Sequence, residues 1–410
     1  MTRVRIPGLA HGGEARYGTG VTVPPVLVLG EAPPRARAST SEPPDVASAR
    51  EAVVLLDGGA QAYPRMLEAI AAARRAIHLE VYSFSATGVG VDFVDALGAS
   101  ARRGVAVHVK IDGWGSMRGG RHVAARLRSA GCKVKIHNRL VALFAGRFGR
   151  NHRKILLVDD AVAFVGGINI GDENVADEAR LGWADVAVEI HGPLCVQLGR
   201  QLRGEAAGHV ASRTRILLSG PGGGWRMRRR YVDAFAGARH RIDLAHGYFA
   251  PDQRVIRALT MAAQRGVDVR LLMAGHSDVP LARIAARSFY RQLLAAGVRI
   301  SEWSESVLHA KVATVDGRRL LVGSFNLDVF SLSNLEVLLV LEDANAVAQA
   351  QAWIASRFEA SPPVTSLRMA GWRHSWIFEP LGRRLVATLA WGTRVVAGRR
   401  RRRGRRSRSD

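Results

Sequence analysis

Two segments of the chain carry the same residues at the same spacing. Asn151–Asp159 (NHRKILLVD) is followed, after six residues, by Gly166-Gly167-Ile168-Asn169, and His309–Asp316 (HAKVATVD) is followed, after six residues, by Gly323-Ser324-Phe325-Asn326. Every matching position lies 157 residues from its partner. A lone H-x-K arises easily by chance. Two copies of H-x-K-x4-D-x6-G-(G/S)-x-N do not, so the chain has to build the same unit twice.

The hydrophobic pattern around the motifs repeats as well. Val53–Leu56 is a short apolar run closed by Asp57-Gly58-Gly59, and Met66, Leu67, Ile70 and Ala73 space a helix over Tyr63–Ala76. Ile77–Phe84 reads as a strand, a helix precedes Arg103-Gly104, and Val105–Ile111 and Val134–Ile136 read as further strands. The order then recurs: a helix over Tyr231–Arg239, a strand over Ile242–Phe249, a helix ending at Arg265-Gly266 and a strand over Val267–Met273. Leu293–Ile300 (LLAAGVRI) echoes Leu127–Ile136 (LRSAGCKVKI). Alternating helices and strands predict an α/β fold. The expected organisation is a flexible Pro- and Gly-rich extension over 1–50, a first half over 51–213, a second half over 214–365 and an appendage over 366–410. It is one duplicated catalytic unit rather than two independent domains.

On a strand, residues i and i+2 share a face. His152 and Lys154 therefore project together, as do His309 and Lys311, each pair standing on an apolar strand. Brought face to face, the two pairs surround one point with two imidazoles and two ammonium groups. That set suits a phosphodiester: the lysines neutralise non-bridging oxygens, one histidine attacks phosphorus and the other protonates the leaving oxygen. Asn169 and Asn326 can donate side-chain N–H groups to phosphate oxygens. Asp159 and Asp316 complete the motif, but each ends its strand, which favours a structural role.

Charge and composition narrow the class further. The net charge of +24 is uneven: Leu367–Asp410 holds thirteen arginines against Glu379 and Asp410, eight of them between Arg399 and Arg408. Two cysteines, Cys132 and Cys195, can form neither a disulfide framework nor a four-ligand zinc site. With no H-E-x-x-H and no Cys/His cluster, neither a metal nor another cofactor is expected. Asp112–Arg121 (DGWGSMRGGR) lacks the G-x-G-x-x-G pattern and reads either as a mobile loop beside the site or as an ordinary connection. No apolar run reaches the length of about 20 residues that a spanning helix needs.

The doubled motif is the one that the phospholipase D superfamily carries, and within it the sequence resembles bacterial cardiolipin synthases of the short kind without N-terminal membrane spans. The resembling stretches include Ile77–Tyr82, Ala101–Val105, Asp112–Ser116, Trp183-Ala184-Asp185, Tyr248–Asp252 and Asn334-Leu335-Glu336. The resemblance implies two α-β-α halves packed about a pseudo-twofold axis with the active site between them. It implies a transfer without metal, in which two phosphatidylglycerols become cardiolipin and glycerol through a phosphatidyl-histidine. His152 is assigned as nucleophile and His309 as general acid and base, the motif's symmetry leaving the reverse open. Asp185 and Glu336 stand where the superfamily has a carboxylate that orients a histidine.

Two further segments point to a lipid surface. Arg139–Arg150 (RLVALFAGRFGR) mixes apolar residues with arginines, and Ser375–Val396 spaces Trp376, Phe378, Leu381, Leu385, Leu389 and Trp391 as an amphipathic helix ahead of the arginine run. The expected partner is an anionic phospholipid membrane, met peripherally at the cytoplasmic face by a monomeric catalytic unit. A phospholipase D that hands the intermediate to water is the alternative. A nuclease is disfavoured, because aromatic residues are scarce and the arginine tail has none to stack on bases.

Overall fold

A computed structural model describes residues 52–137, 149–176, 181–205, 214–220 and 222–365. The 1–50 extension, nearly all of the Arg139–Arg150 segment, the Ser375–Val396 segment and the arginine run lie outside the described residues.

The repeated sequence pattern becomes two sheets of identical topology. In the first, the spatial order is β1 (Ala52–Asp57), β7 (Val186–His191), β6 (Val162–Gly166), β5 (Ile155–Val158), β2 (Ala76–Val81), β3 (Ala106–Asp112) and β4 (Lys133–His137). In the second it is β8 (Arg215–Leu218), β16 (Val337–Leu341), β14 (Arg319–Gly323), β13 (Lys311–Val315), β9 (Arg241–His246), β11 (Asp268–Ala274) and β12 (Arg299–Trp303). β2, β3 and β4 pair in parallel, as do β9, β11 and β12, and every other neighbour in the two sheets is antiparallel.

Each sheet is buried on both faces at its centre, which is why β5 and β16 read as unbroken apolar runs rather than as alternations. The outer face of the first sheet carries α1 (Gly58–Ala72), α2 (Val89–Arg102) and α3 (Gly120–Ser129) over a core that includes Ile70, Phe93, Leu97, Val109 and Leu156. The outer face of the second carries α5 (Trp225–Ala236), α6 (Gln253–Gln264), α7 (Pro280–Arg287) and α8 (Tyr290–Ala295). A third core joins the two inner faces: Ile155, Leu157 and Val186 of one half meet Val312, Leu320 and Val337 of the other. α4 (Pro193–Arg203) and α9 (Ala344–Ala360) close this middle layer with Leu194, Leu198, Trp353 and Ile354. Truncating any one of these fully buried leucines would cost about 2–5 kcal/mol.

Boundaries differ from the sequence reading where local bonding intervenes. The strand expected over Ile77–Phe84 leaves the ladder after Val81, because Ser83 and Ser85 turn their N–H groups to the Asn169 side chain and the Ile170 carbonyl. The strand expected over Ile242–Phe249 stops at His246; Gly247 passes so close to Leu308 that an added Cβ would lie 2.2 Å from its carbonyl oxygen. A two-stranded ladder follows, β10 (Phe249–Ala250) with β15 (Leu327–Asp328). The loop over Asp112–Arg121 is tied down rather than free. Asp112 Oδ1 accepts from Trp114 N and Gly115 N, and the Ser116 hydroxyl donates to Tyr82 O at 3.0 Å.

Candidate active site

Each motif starts in the irregular segment before a central strand, so its His–Lys pair sits at the strand's entrance, where the two halves meet. The pairing there is crossed. His152 N donates to Leu335 O and His309 N to Ala184 O, both at 2.9 Å. The next residue in each partner segment is an acid, and it takes the imidazole. His152 Nδ1 lies 3.0 Å from Glu336 Oε2, and His309 Nδ1 lies 2.6 Å from Asp185 Oδ2. Each histidine is therefore held at backbone and ring by the half to which it does not belong.

Fixing Nδ1 against a carboxylate leaves Nε2 of each ring to do chemistry. Tyr82 packs edge-on against His152 with centroids 4.9 Å apart, and Tyr248 does the same to His309 at 5.6 Å. Trp183 flanks His309 at 5.3 Å. Lys154 and Lys311 each turn Nζ to the carbonyl of the histidine two residues before it. Their ammonium groups also lie over the Tyr82 and Tyr248 rings, at 5.2 and 5.6 Å.

The electrostatics follow from burying like charges together. Burial, then the Lys311 charge, pushes Lys154 well below the usual lysine range, and burial lowers Lys311 although Asp185 opposes it. Burial and then the Lys154 and Lys311 charges hold His152 well below the usual imidazole range. His309 is lowered by burial and Lys311, but the Asp185 charge and hydrogen bond pull it back up. The acids divide the same way. Burial works to raise Asp185, yet Lys311 and His309 outweigh it and hold the carboxyl below its usual range. Glu336 is pushed up to about 7 by burial, which Lys154 and the Ser324 hydroxyl only partly offset. Both imidazoles are thus held toward their neutral forms, and the Asp185 carboxylate 2.6 Å from His309 Nδ1 opposes this at His309 and makes it the ring better placed to take up a proton. A phosphodiester anion between the lysines supplies the counter-charge that two buried ammonium groups lack.

Comparisons with known proteins agree with this geometry. A family profile described as "Cardiolipin synthase, PLD-like domain" matches residues 66–196 and 231–358, once in each half. Cardiolipin synthase B of Salmonella typhimurium is 35% identical over 321 residues, covering 71% of this chain and 76% of its own. The chain belongs to the cardiolipin synthases of the phospholipase D superfamily. Cardiolipin synthase B of Escherichia coli K12 is 34% identical over 320 residues, with the same coverage of 71% and 76%. Among solved structures, phosphatidylserine synthase of Haemophilus influenzae superposes with a TM-score of 0.65 over 84% of this chain and 94% of its own, at 14% identity, a likeness of fold.

Within this cardiolipin synthase fold the residues expected from sequence fall into two groups. His152, Lys154, His309, Lys311, Asp185 and Glu336 converge. Asn169 and Asn326 are buried beside them, the first with Oδ1 accepting from Ser83 N at 3.2 Å and the second with its backbone N–H donating to Ser331 Oγ. Asp159 and Asp316, carried as catalytic candidates, do not reach the site. They stand at the far ends of β5 and β13 with φ near 54°, where an aspartate tolerates the left-handed conformation. Asp159 accepts from the N–H groups of Arg74, Arg75 and Ala76, and Asp316 from those of Arg239, His240 and Arg241. They clamp the turn into β2 and β9. Sequence reasoning missed Tyr82, Tyr248 and Trp183 as walls, and Ser324, whose hydroxyl donates to Glu336 at 2.5 Å. The signal for Ser324 was the one difference between the G-G and G-S forms of the motif. Among the described residues no three His, Cys, Asp or Glu side chains cluster to hold a metal ion, and no helix is long and apolar enough to cross a membrane.

Proposed function

We propose that the protein joins two phosphatidylglycerols into cardiolipin and free glycerol. His152 Nε2 attacks the phosphorus of the first lipid; the bond to its glycerol headgroup breaks, and His309 gives its proton to the departing oxygen. The phosphatidyl group is then held on His152. A glycerol hydroxyl of the second lipid loses its proton to His309 and attacks phosphorus, the P–N bond breaks, and cardiolipin leaves with His152 neutral again. Lys154 and Lys311 steady the non-bridging oxygens through both steps, and the side-chain amides of Asn169 and Asn326 are assigned to donate to the same oxygens. The observation that carries this reading is the crossed pairing of each motif histidine with a carboxylate of the other half around two buried lysines.

The reaction requires a phospholipid surface, read here as the cytoplasmic face of a bacterial membrane met peripherally by a monomer. The test is incubation of the purified protein with labelled phosphatidylglycerol vesicles, alongside His152→Ala. Cardiolipin with equimolar glycerol, abolished by the substitution, is the expected result. Phosphatidic acid alone would replace transfer by hydrolysis, and cleavage of single-stranded DNA without lipid turnover would overturn both.

A further inference from the structure

Singly exposed apolar residues are ordinary on a protein surface; their distribution is what carries information. Among the described residues seven large apolar side chains stand well out of the protein, and five of them lie on segments that adjoin active-site residues, Leu281 in the first turn of α7 and the other four on loops. Met117 follows Gly115 and Ser116, which pack on the backbone of Tyr82, the wall of His152. Leu181 lies two residues before Trp183, which flanks His309. Val279 and Leu281 follow Asp278, whose carboxylate accepts the Tyr248 hydroxyl at 2.5 Å beside the same histidine. Phe330 lies next to Ser331, whose hydroxyl accepts from Asn326 N. Exposure runs from 44% at Val279 to 63% at Leu281, too open for packing within the chain. Met117 and Leu181 come from the first half and Val279, Leu281 and Phe330 from the second, so both halves contribute to this rim.

The rim also carries cations. Arg118, Arg121 and Arg150 are exposed, and among the described residues none has an ion-pair partner; the Arg150 guanidinium lies over Trp114 at 5.2 Å. Three carboxylates near the rim each accept a hydrogen bond from a neutral donor of the protein. Asp278 holds Tyr248, Asp172 accepts from Val89 N at 2.8 Å and Asp328 accepts from Ser331 N at 2.7 Å.

We infer that this rim is the surface that docks on an anionic bilayer, its apolar side chains entering the headgroup layer and its arginines meeting lipid phosphates, with the mouth facing the membrane. The inference rests on the reading of the substrate as a phospholipid. Apolar insertion and anionic attraction act together in such interfaces, and docking in this orientation lets a headgroup reach the histidines without its acyl chains leaving the bilayer.

The experiment compares the full-length protein with Met117→Ser/Leu281→Ser/Phe330→Ser and with Met261→Ser, the latter removing an equally exposed apolar side chain from α6, away from the mouth. Flotation with phosphatidylglycerol vesicles measures docking. Turnover is measured on those vesicles and on dispersed short-chain phosphatidylglycerol, and thermal unfolding checks the fold. The triple variant is expected to lose about tenfold or more in vesicle affinity and vesicle turnover while keeping its melting temperature and its turnover of dispersed lipid, and Met261→Ser is expected to match the parent. Undiminished vesicle binding by the triple variant, or an equal loss in Met261→Ser, overturns the inference. Should the parent turn over neither lipid yet bind vesicles through the rim, the proposed reaction fails and the docking surface stands.

Discussion

The two halves share strand order, pairing sense and motif, yet they place different chemistry at equivalent points. In the first half Asp185 precedes β7 and Gly167 faces it so closely that an added Cβ would lie 2.1 Å from its Oδ1. In the second half the acid is one methylene longer, Glu336, and Ser324 stands in the glycine's place to donate to it. The short acid makes the closer hydrogen bond, to His309; the long acid also accepts from a hydroxyl and lies farther from His152. A duplicated scaffold alone would yield two equal histidines. Acid–base chemistry needs unequal ones, and these substitutions supply the inequality.

The largest effect should come from the histidines themselves. His152→Ala and His309→Ala should each lower turnover by about 10⁴-fold or more, and only the His309 variant should still trap labelled lipid on the protein. Covalent label on His152→Ala would reverse the assignment of roles.

The acids should then separate. Asp185→Asn should cost on the order of 10³-fold, since it removes the charge that supports His309 when that ring takes up a proton during the transfer. Glu336→Gln should cost about tenfold, since its carboxyl is already raised to about 7. The sign is checkable. A carboxyl with a raised pKa is neutral below that value and ionised above it, and only the ionised form strengthens His152 as a nucleophile. Turnover should therefore rise with pH through about 7 in the parent and lose that limb in Glu336→Gln. Equal losses in the two variants would break the asymmetry.

Gly167→Ser, which makes the first motif copy the second, should cost on the order of 10²-fold, because it displaces Asp185 and thereby His309. Measuring kcat against KM for phosphatidylglycerol would place the loss in kcat.

The smallest effect on activity should come from the motif aspartates. Asp316→Ala should cost about 1–3 kcal/mol in stability at neutral pH, seen by denaturant unfolding, with turnover of the folded enzyme unchanged. Its three backbone N–H bonds hold the Asp316 carboxyl below its usual range despite partial burial. A depressed folded pKa stabilises above the unfolded value, near about pH 4, and the contribution is lost as pH falls through the folded value, so the penalty should shrink in acid.

Much of this was legible in the chain. The doubled motif and recurring helix–strand order give the α/β class, and i, i+2 spacing puts each lysine beside its histidine. Asp185 and Glu336 were readable only through the superfamily resemblance, because they lie sixteen and ten residues beyond Asn169 and Asn326 and do not keep the 157-residue spacing. Asp159 and Asp316 share a motif with the catalytic residues but sit a whole strand away, since a β-strand rises about 3.3 Å per residue and carries them to its opposite end.

By itself the sequence determined that one unit is built twice and that a His–Lys pair leads into each of two buried strands, because periodicity and spacing are local properties of the backbone. Only the tertiary structure decided that each histidine is held by the other half's carboxylate and that the two acids sit in unlike surroundings, one against Gly167 and one beside Ser324. The first is a relation between segments more than 120 residues apart. It is fixed by how two sheets bury their inner faces against each other, and no local pattern encodes it.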